Sequence, residues 1–200
     1  MSLRRLLPLL ARAGWPNALT SLAALCAVAA FVPLRTGDVR LSISLAFTAL
    51  VIDHFDGPLA RRLGQVSAFG RELDGLMEAV GFCALPAVAA YTLGARSVAS
   101  VVALALFVAA GLWRLAALHE AEAPDAALLP GMPTPTAAAW FFTASPVLVR
   151  LPAPVRLAVL PWLFVALALL MACGLALPKG GRATVVLYAL CPVAVALLWL

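Results

Sequence analysis

Acidic side chains are concentrated in one short part of an otherwise apolar sequence. Five of the nine acidic residues lie in a 26-residue window: Asp53, Asp56, Glu72, Asp74 and Glu78. Asp53 and Asp56 are three residues apart, and Asp74 and Glu78 are four apart, so each pair shares one face of a helix. Hard divalent cations prefer carboxylate oxygens as ligands. The spacing therefore favours a site between two helices where two metal ions clamp a phosphate for displacement at phosphorus.

Residues between the two acidic pairs suit the same chemistry. Gly57 and Gly70 lack side chains and let a bulky polar ligand approach the backbone closely, and Arg61 can neutralise a phosphate. The segment from Gly57 to Gly70 is short enough to fold the second helix back beside the first. Two other interpretations remain open. Arg61, Arg62 and Arg71 can neutralise the acids in a buried ion-pair network, or the acids can line a proton or ion path.

The elements that must position these acids are membrane helices. Of 200 residues, 64% are hydrophobic and 12% are charged, whereas soluble domains carry about 25% charged residues. Apolar stretches long enough for a ~30 Å hydrocarbon core recur along the chain. Helices satisfy their own backbone hydrogen bonds in lipid. We expect an all-α polytopic membrane bundle of about six to eight spans, drawn here as seven at 17–34, 41–61, 72–93, 97–118, 134–150, 155–177 and 182–200.

The charge distribution predicts an orientation in the membrane rather than binding to nucleic acid. With the N-terminus inside, nine Lys and Arg residues fall on the inner side and five on the outer side, within a net charge of +5. Residues 1–15 alternate basic and apolar clusters, which is typical either of a segment along the inner membrane surface or of a simple anchor. We expect no removable signal peptide. Residues 16–200 then form a single integral-membrane domain.

The acidic window resembles the signature of CDP-alcohol phosphotransferases, D-x2-D-G-x2-A-R-x8-G-x3-D-x3-D. Seven of its eight fixed positions match, and Glu78 stands where the family has aspartate; the matching residues are Asp53, Asp56, Gly57, Ala60, Arg61, Gly70 and Asp74. Residues 16–20, 69–87 and 131–138 are similar to segments of the phosphatidylserine synthase branch. The similarity covers most of the chain from residue 16 to about 182, and only loosely in the last third.

The resemblance implies transfer of a phosphatidyl group from CDP-diacylglycerol to a small alcohol, with release of CMP, in phospholipid biosynthesis. It implies that two divalent ions, Mg²⁺ or Mn²⁺, are held by Asp53, Asp56, Asp74 and Glu78. It also implies that Glu78 deprotonates the alcohol, which attacks the β-phosphate. The CDP site is implied to be lined by Gly57, Ala60, Arg61 and Gly70. A homodimer in a bacterial-type inner membrane, with its active site facing the cytoplasm, is expected on the same basis.

Departures from the branch bear on the acceptor alcohol. Serine is the acceptor that the branch implies, and glycerol phosphate, inositol phosphate or choline are the alternatives. Several polar positions of the branch are changed: Gly75 and Gly81 replace serines, Cys83 replaces a glycine, and in the R-x-A-R-F-N segment that begins at Arg114, Ala117 and His119 replace the second arginine and the asparagine.

The sequence alone leaves more than one role open for each of three residues. The additional methylene of Glu78 moves its carboxylate by roughly 1.5 Å relative to aspartate, which raises the alternative of a catalytically weakened homologue. Arg114 suits either an acceptor carboxylate or phosphate, or a plain anchor on the inner side. His54 is next to Asp53 and points to another helix face, so a headgroup-level or packing role is favoured over metal binding.

Overall fold

The computed structural model of the protein describes residues 14–120, 131–174 and 182–200, with side chains from residue 186 onward in the last range. Within these ranges every regular element is a helix, which confirms the expected all-α class. The basic segment expected over residues 1–15 lies outside the described residues, apart from Gly14 and Trp15, and so do the last residues of the span expected at 155–177.

Nine α-helices and one π-helical segment make up the described chain. We number them α1 (Trp15–Ala29), α2 (Phe31–Leu34), α3 (Val39–Arg62), α4 (Ala68–Glu78), the π segment (Ala79–Ala84), α5 (Leu85–Thr92), α6 (Val98–Glu120), α7 (Thr134–Arg150), α8 (Ala153–Ala172) and α9 (Arg182–Trp199).

Five helical stretches in the described residues are long and apolar enough to cross a membrane. They are Trp15–Leu34, Val39–Arg62, Ala68–Thr92, Val98–Glu120 and Ala153–Ala172. With α7 and α9, they account for all seven expected segments, and the chain is a polytopic helical membrane protein. The two remaining helices have 17 and 18 residues.

The helices that carry the acids begin at polar caps that hydropathy alone does not locate. The carboxylate of Asp38 accepts a hydrogen bond from the backbone N–H of Leu41 at 3.0 Å, so α3 begins at Val39. The hydroxyl of Ser67 accepts one from the N–H of Gly70 at 3.0 Å, so α4 begins at Ala68, four residues before the expected start of its span. The connection between the two helices is only residues 63–67.

A π-helical segment follows Glu78 directly. Pro86 lacks the N–H that would continue an α-helical ladder, and its ring crowds the preceding turn. A wider π turn over Ala79–Ala84 accommodates this. At this level α6 lies very close, because a Cβ atom on Gly111 would stand 2.5 Å from Sγ of Cys83. The π segment thus continues the chain directly after the acidic helix α4, and its Cys83 packs against Gly111 of α6.

Helix α7 is largely buried among other helices, although its Trp140 and Val147 side chains are exposed. Its buried residues include Ala137, Ala138, Ala139, Phe141 and Phe142. Edge-to-face and tilted ring contacts join its two phenylalanines to Phe47 of α3 at 5.6 Å and to Phe164 of α8 at 5.2 Å. Burial among other helices explains how a short helix that contains Pro146 is retained.

At the end of the bundle away from the acids, two arginines donate hydrogen bonds to backbone carbonyls near helix ends. Arg156 donates hydrogen bonds to the carbonyl oxygens of Leu93 and Leu151, at 3.0 and 3.5 Å. Arg150 donates to those of Pro146 and Leu197, the first at 2.9 Å. The carbonyls of Leu93, Leu151 and Leu197 lie in or just after the last turns of helices, where acceptors lack intrahelical partners. We call this the far end, and the opposite end, which holds the acids, the site end.

Candidate active site

Three aspartates from two helices meet at the site end. One carboxylate oxygen from each of Asp53, Asp56 and Asp74 lies within 4.8 Å of the others. The first two lie on α3 and the third on α4, which the short 63–67 connection folds back beside α3. We call these residues the aspartate triad. Their grouping follows the two predicted acidic faces.

The triad has the donor set of a hard-cation site. Oδ1 of Asp53 is buried and has no hydrogen-bond partner among the described residues. A buried acceptor of this kind costs free energy unless something satisfies it. Three converging carboxylates in a half-buried position also repel one another, and a divalent cation relieves both costs. The residues present therefore fit Mg²⁺ or Mn²⁺, which oxygen ligands suit.

Thr20 of α1 holds the most buried member of the triad. Asp56 is only 7% exposed, and its Oδ2 accepts a hydrogen bond from Thr20 Oγ1 at 2.5 Å. The same hydroxyl is 3.1 Å from the carbonyl oxygen of Pro16, its neighbour one turn earlier. Because Thr20 is itself 3% exposed, this bond fixes the orientation of the Asp56 carboxylate.

Glu78 lies beside the triad without being one of its three closely spaced members. It is half-buried one turn after Asp74, and Asp53 and Asp74 are its acidic neighbours. Thr134 at the start of α7 and Arg114 of α6 are also among the neighbours of its carboxylate. Tyr188 of α9 also lies near both Asp53 and Glu78. The carboxylate of Glu78 thus has acidic neighbours in the triad and polar neighbours on three later helices.

A pocket of about 440 Å³ opens next to the triad. Asp56 and Asp74 form part of its wall, together with the four residues of the predicted nucleotide site, Gly57, Ala60, Arg61 and Gly70. The remaining wall comes from the start of α1, the 63–67 connection and Arg71.

Gly70 sits where a side chain has no room. A Cβ atom there would lie 2.9 Å from Oδ1 of Asn17 and 3.2 Å from Oγ of Ser67, so glycine keeps α1 and α4 close together along this wall. Gly70 therefore serves helix packing, whereas a Cβ atom on Gly57 would meet only Nη1 of Arg61, at 3.6 Å, so the predicted close approach of a ligand to the backbone fits Gly57 better.

Basic residues near the triad do not neutralise it by direct ion pairs. Among the described residues, Arg61, Arg62 and Arg71 make no salt bridge within 4.0 Å to the aspartate triad or to Glu78. The ion pair found nearby joins His119 to Glu72. This observation disfavours the ion-pair network that the sequence left open. Arg61 instead lines the pocket, where its charge is available to a ligand.

Two further candidates fall on either side of the site. His54 packs against Phe55 and Tyr188, with ring centroids 5.7 and 5.0 Å apart, which agrees with the packing role. Arg114 is buried inside the bundle near Glu78 and Cys173, which argues against a surface anchor.

Sequence reasoning did not single out Thr20, Thr134 or Tyr188 as site residues. Thr20 lies in the run 16–20, which was noted only as a similarity, and 36 residues separate it from Asp56. Spacing identifies residues that share a helix face, but it does not identify which face of a distant helix packs against them. Thr134 lies in the run 131–138, which was likewise noted only as a similarity, and Tyr188 had no local signal.

The chain is similar over most of its length to one known protein family. The family profile described as CDP-alcohol phosphatidyltransferase matches residues 14–177. Shorter segments are similar to proteins named CDP-diacylglycerol–serine O-phosphatidyltransferase: 35% identity over 68 residues in Bacillus subtilis, 37% over 75 in Methanocaldococcus jannaschii and 32% over 95 in Saccharomyces cerevisiae. These segments cover 34%, 38% and 44% of this chain, and only 38%, 37% and 34% of the respective relatives.

Proposed function

Since this chain belongs to the CDP-alcohol phosphatidyltransferase family, we propose that it transfers a phosphatidyl group from CDP-diacylglycerol to a small alcohol, serine, and releases CMP in phospholipid biosynthesis. The observation that carries the proposal is the aspartate triad at the wall of a pocket of about 440 Å³. That pocket is lined by Gly57, Ala60, Arg61 and Gly70, the positions that the family resemblance relates to CDP.

Asp53, Asp56 and Asp74, with Glu78, would hold the divalent ions, of which we propose two, Mg²⁺ or Mn²⁺. Bound there, such ions neutralise the negative charge of a diphosphate. Thr20 keeps the Asp56 carboxylate turned towards its partners. Arg61 supplies a positive charge on the pocket wall, where the diphosphate of the CDP-lipid would lie.

Glu78 is the proposed base. It accepts the proton of the acceptor hydroxyl, whose oxygen forms a new bond to the β-phosphorus of CDP-diacylglycerol. The bond from that phosphorus to the bridging oxygen breaks, and CMP leaves with the electron pair. The position of Glu78 beside Asp53 and Asp74 supports this role, because a base must lie within reach of the reacting phosphorus.

Serine is proposed as the acceptor because the similar proteins are named as serine O-phosphatidyltransferases. Buried Arg114 beside Glu78 is compatible with an acceptor that carries a carboxylate, and equally with a phosphate-bearing alcohol such as glycerol phosphate or inositol phosphate. The changed positions Gly75, Ala117 and His119 make the acceptor a question for direct measurement.

We place the site end at the cytoplasmic face of a bacterial-type inner membrane. The site end receives nine of the 14 Lys and Arg residues, if every span is crossed as drawn from the sequence. CDP-lipid would then enter from the inner leaflet. The family resemblance also implies a homodimer, which the mass of the detergent-solubilised protein tests.

An acceptor screen tests the function. Purified protein in detergent receives CDP-diacylglycerol, Mn²⁺ and one of serine, glycerol phosphate, inositol phosphate or choline, and CMP release is measured. We expect release with serine and its loss in Asp56→Asn, while Asp38→Asn, which changes a helix cap at the far end, retains activity. Absence of CMP with every acceptor, beside an active control enzyme, would refute the proposal.

A further inference from the structure

The imidazole of His119, near the end of α6, lies directly on Gly75 of the acidic helix α4. A Cβ atom on Gly75 would stand 2.6 Å from Nε2 of His119 and closer still to Cε1, a separation that real Cβ atoms essentially never show. The ring therefore fills the volume that a side chain at position 75 would occupy. His119 and Gly75 are two departures from the related branch, and the structure brings them into contact.

Polar contacts hold the ring on this face of α4. Nε2 of His119 is 3.2 Å from the carbonyl oxygen of Arg71, one turn before Gly75, and 4.0 Å from Oε2 of Glu72. The Glu72 carboxylate is 66% exposed, so that ion pair adds little. The imidazole thus spans α4 from the Arg71 carbonyl to Gly75, and packing together with one hydrogen bond keeps it there.

The residue next to Gly75 is Asp74 of the aspartate triad. On its other side α4 packs on α1, and Asp74 faces Asp53 and Asp56 of α3. A functional constellation must be held within about 0.5 Å and 10–20° of its working geometry. Rotation or displacement of α4 moves the Asp74 carboxylate away from its partners, so whatever fixes α4 at residue 75 also fixes the triad.

We propose that His119 is a positioning residue: through its contact with Gly75 and the Arg71 carbonyl, the end of α6 sets the position of α4 and hence of Asp74 as a metal ligand. This inference rests on the proposed function, because it requires that the triad binds a divalent cation. It also relates residues 75 and 119 to each other, since a side chain at 75 requires the imidazole at 119 to move.

A double-mutant cycle tests the inference with Mn²⁺ as the probe. The four proteins are the wild type, Gly75→Ala, His119→Ala and the double variant, and the readouts are the Mn²⁺ dissociation constant, by electron paramagnetic resonance, and the unfolding temperature. Because Gly75→Ala displaces the same ring that His119→Ala removes, we expect each single variant to weaken Mn²⁺ binding about tenfold. The double variant should be weakened by about the same factor, not about a hundredfold.

Gly174→Ala is the matched control, because a Cβ atom there meets nothing within 4 Å, and it should leave both readouts unchanged. Additive losses in the double variant, or wild-type Mn²⁺ affinity in His119→Ala, would overturn the inference. Coupled unfolding temperatures with unchanged Mn²⁺ affinity would also overturn it, by reducing the contact to packing alone. Should Gly75→Ala not fold, recovery of a folded double variant supports the contact, and failure of the double variant beside a folded His119→Ala contradicts it.

Asp74→Asn distinguishes a failure of the proposed metal site from a failure of the positioning role of His119. If the wild type binds Mn²⁺ and Asp74→Asn does not, the metal site stands, and the cycle then decides on His119 alone. If Asp74→Asn binds Mn²⁺ as the wild type does, the metal assignment in the proposed function fails, and the positioning role fails with it.

Discussion

At the scale of single residues, the hydrogen bond from Thr20 to Asp56 makes the proposed metal site depend on a side chain from a different helix. Thr20→Val keeps the shape of the side chain but removes the donor, which leaves the buried Asp56 carboxylate free to turn. Because partners of this kind are worth about 10- to 100-fold in metal affinity, we expect Mn²⁺ binding to weaken by about that factor.

Titration of Mn²⁺ by calorimetry measures this effect, and Thr20→Ser is the control because it restores the hydroxyl. An unchanged dissociation constant in Thr20→Val would show that Asp56 needs no such support. If both variants weakened binding equally, the loss would arise from packing at Thr20, which is 3% exposed, and not from its hydroxyl.

Glu78 gives a second prediction at this scale. Glu78→Gln keeps the length of the side chain and removes the base, so turnover should fall by about 10²- to 10⁴-fold, as is typical of the loss of general base catalysis. CMP release at saturating serine is the measurement. Wild-type turnover in Glu78→Gln would exclude Glu78 as the base.

Glu78→Asp tests whether the longer side chain of glutamate at this position reduces turnover. Glu78 lies outside the closely spaced triad. The sequence comparison left open that its additional methylene, relative to aspartate, weakens catalysis. A rise in turnover in Glu78→Asp would identify the protein as a weakened homologue, whereas a fall would show that the site is adapted to glutamate.

The sequence located the acids of the site better than the residues that support them. Helix periodicity placed Asp53 with Asp56, and Asp74 with Glu78, on common helix faces. The structure brings the carboxylates of the three aspartates together, whereas Glu78 lies beside them and outside the close group. The family resemblance of the window is likewise confirmed by the profile match. Thr20 and His119 could not be assigned, because their contacts join residues 36 and 48 positions apart, and no local pattern encodes such packing.

At the scale of elements, the close approach of α6 to the π segment should be sensitive to small additions of volume. A methyl group in Gly111→Ala would meet Sγ of Cys83 at 2.5 Å and Cγ2 of Thr134 at 3.5 Å. Overpacking of this kind typically costs about 1–3 kcal/mol, so the unfolding temperature in detergent should fall. Cys83→Gly in the same protein removes the obstructing sulfur and should recover part of the loss.

If Gly111→Ala were as stable as the wild type, the approach of the two segments would be looser than the structure has it. A loss unaffected by Cys83→Gly would place the conflict at Thr134 instead.

Hydropathy predicted which segments form helices, but it did not predict the residues at which those helices begin. The expected spans reproduce the helices because apolar length in lipid leaves few other structures. The starts of α3 and α4 moved because Asp38 and Ser67 cap them through single side-chain hydrogen bonds. The π segment was not foreseen, since its signal is confined to the context of Pro86.

At the scale of the whole molecule, the proposed orientation puts the two ends of the bundle on opposite sides of the membrane. Leu63 lies in the connection at the site end, and Thr36 lies in the turn before α3; both are exposed. In a variant without the four native cysteines, single cysteines at these positions should react differently with a maleimide that does not cross membranes.

We expect Thr36→Cys to be labelled from outside intact cells, and Leu63→Cys only in inverted membrane vesicles. The reverse pattern would turn the site end outwards and contradict the topology derived from the nine basic residues. Labelling of both from one side would contradict the alternating arrangement of the helices.

We propose that the aspartate triad and Glu78 serve transfer of a phosphatidyl group to serine. The most direct measurement is the stoichiometry of products from purified protein with CDP-diacylglycerol, serine and Mn²⁺, with phosphatidylserine and CMP quantified by mass spectrometry. We expect one CMP for each phosphatidylserine in the wild type and neither product in Asp53→Asn. Phosphatidylserine formed at the wild-type rate by Asp53→Asn, or CMP released without any phosphatidylserine, would contradict it.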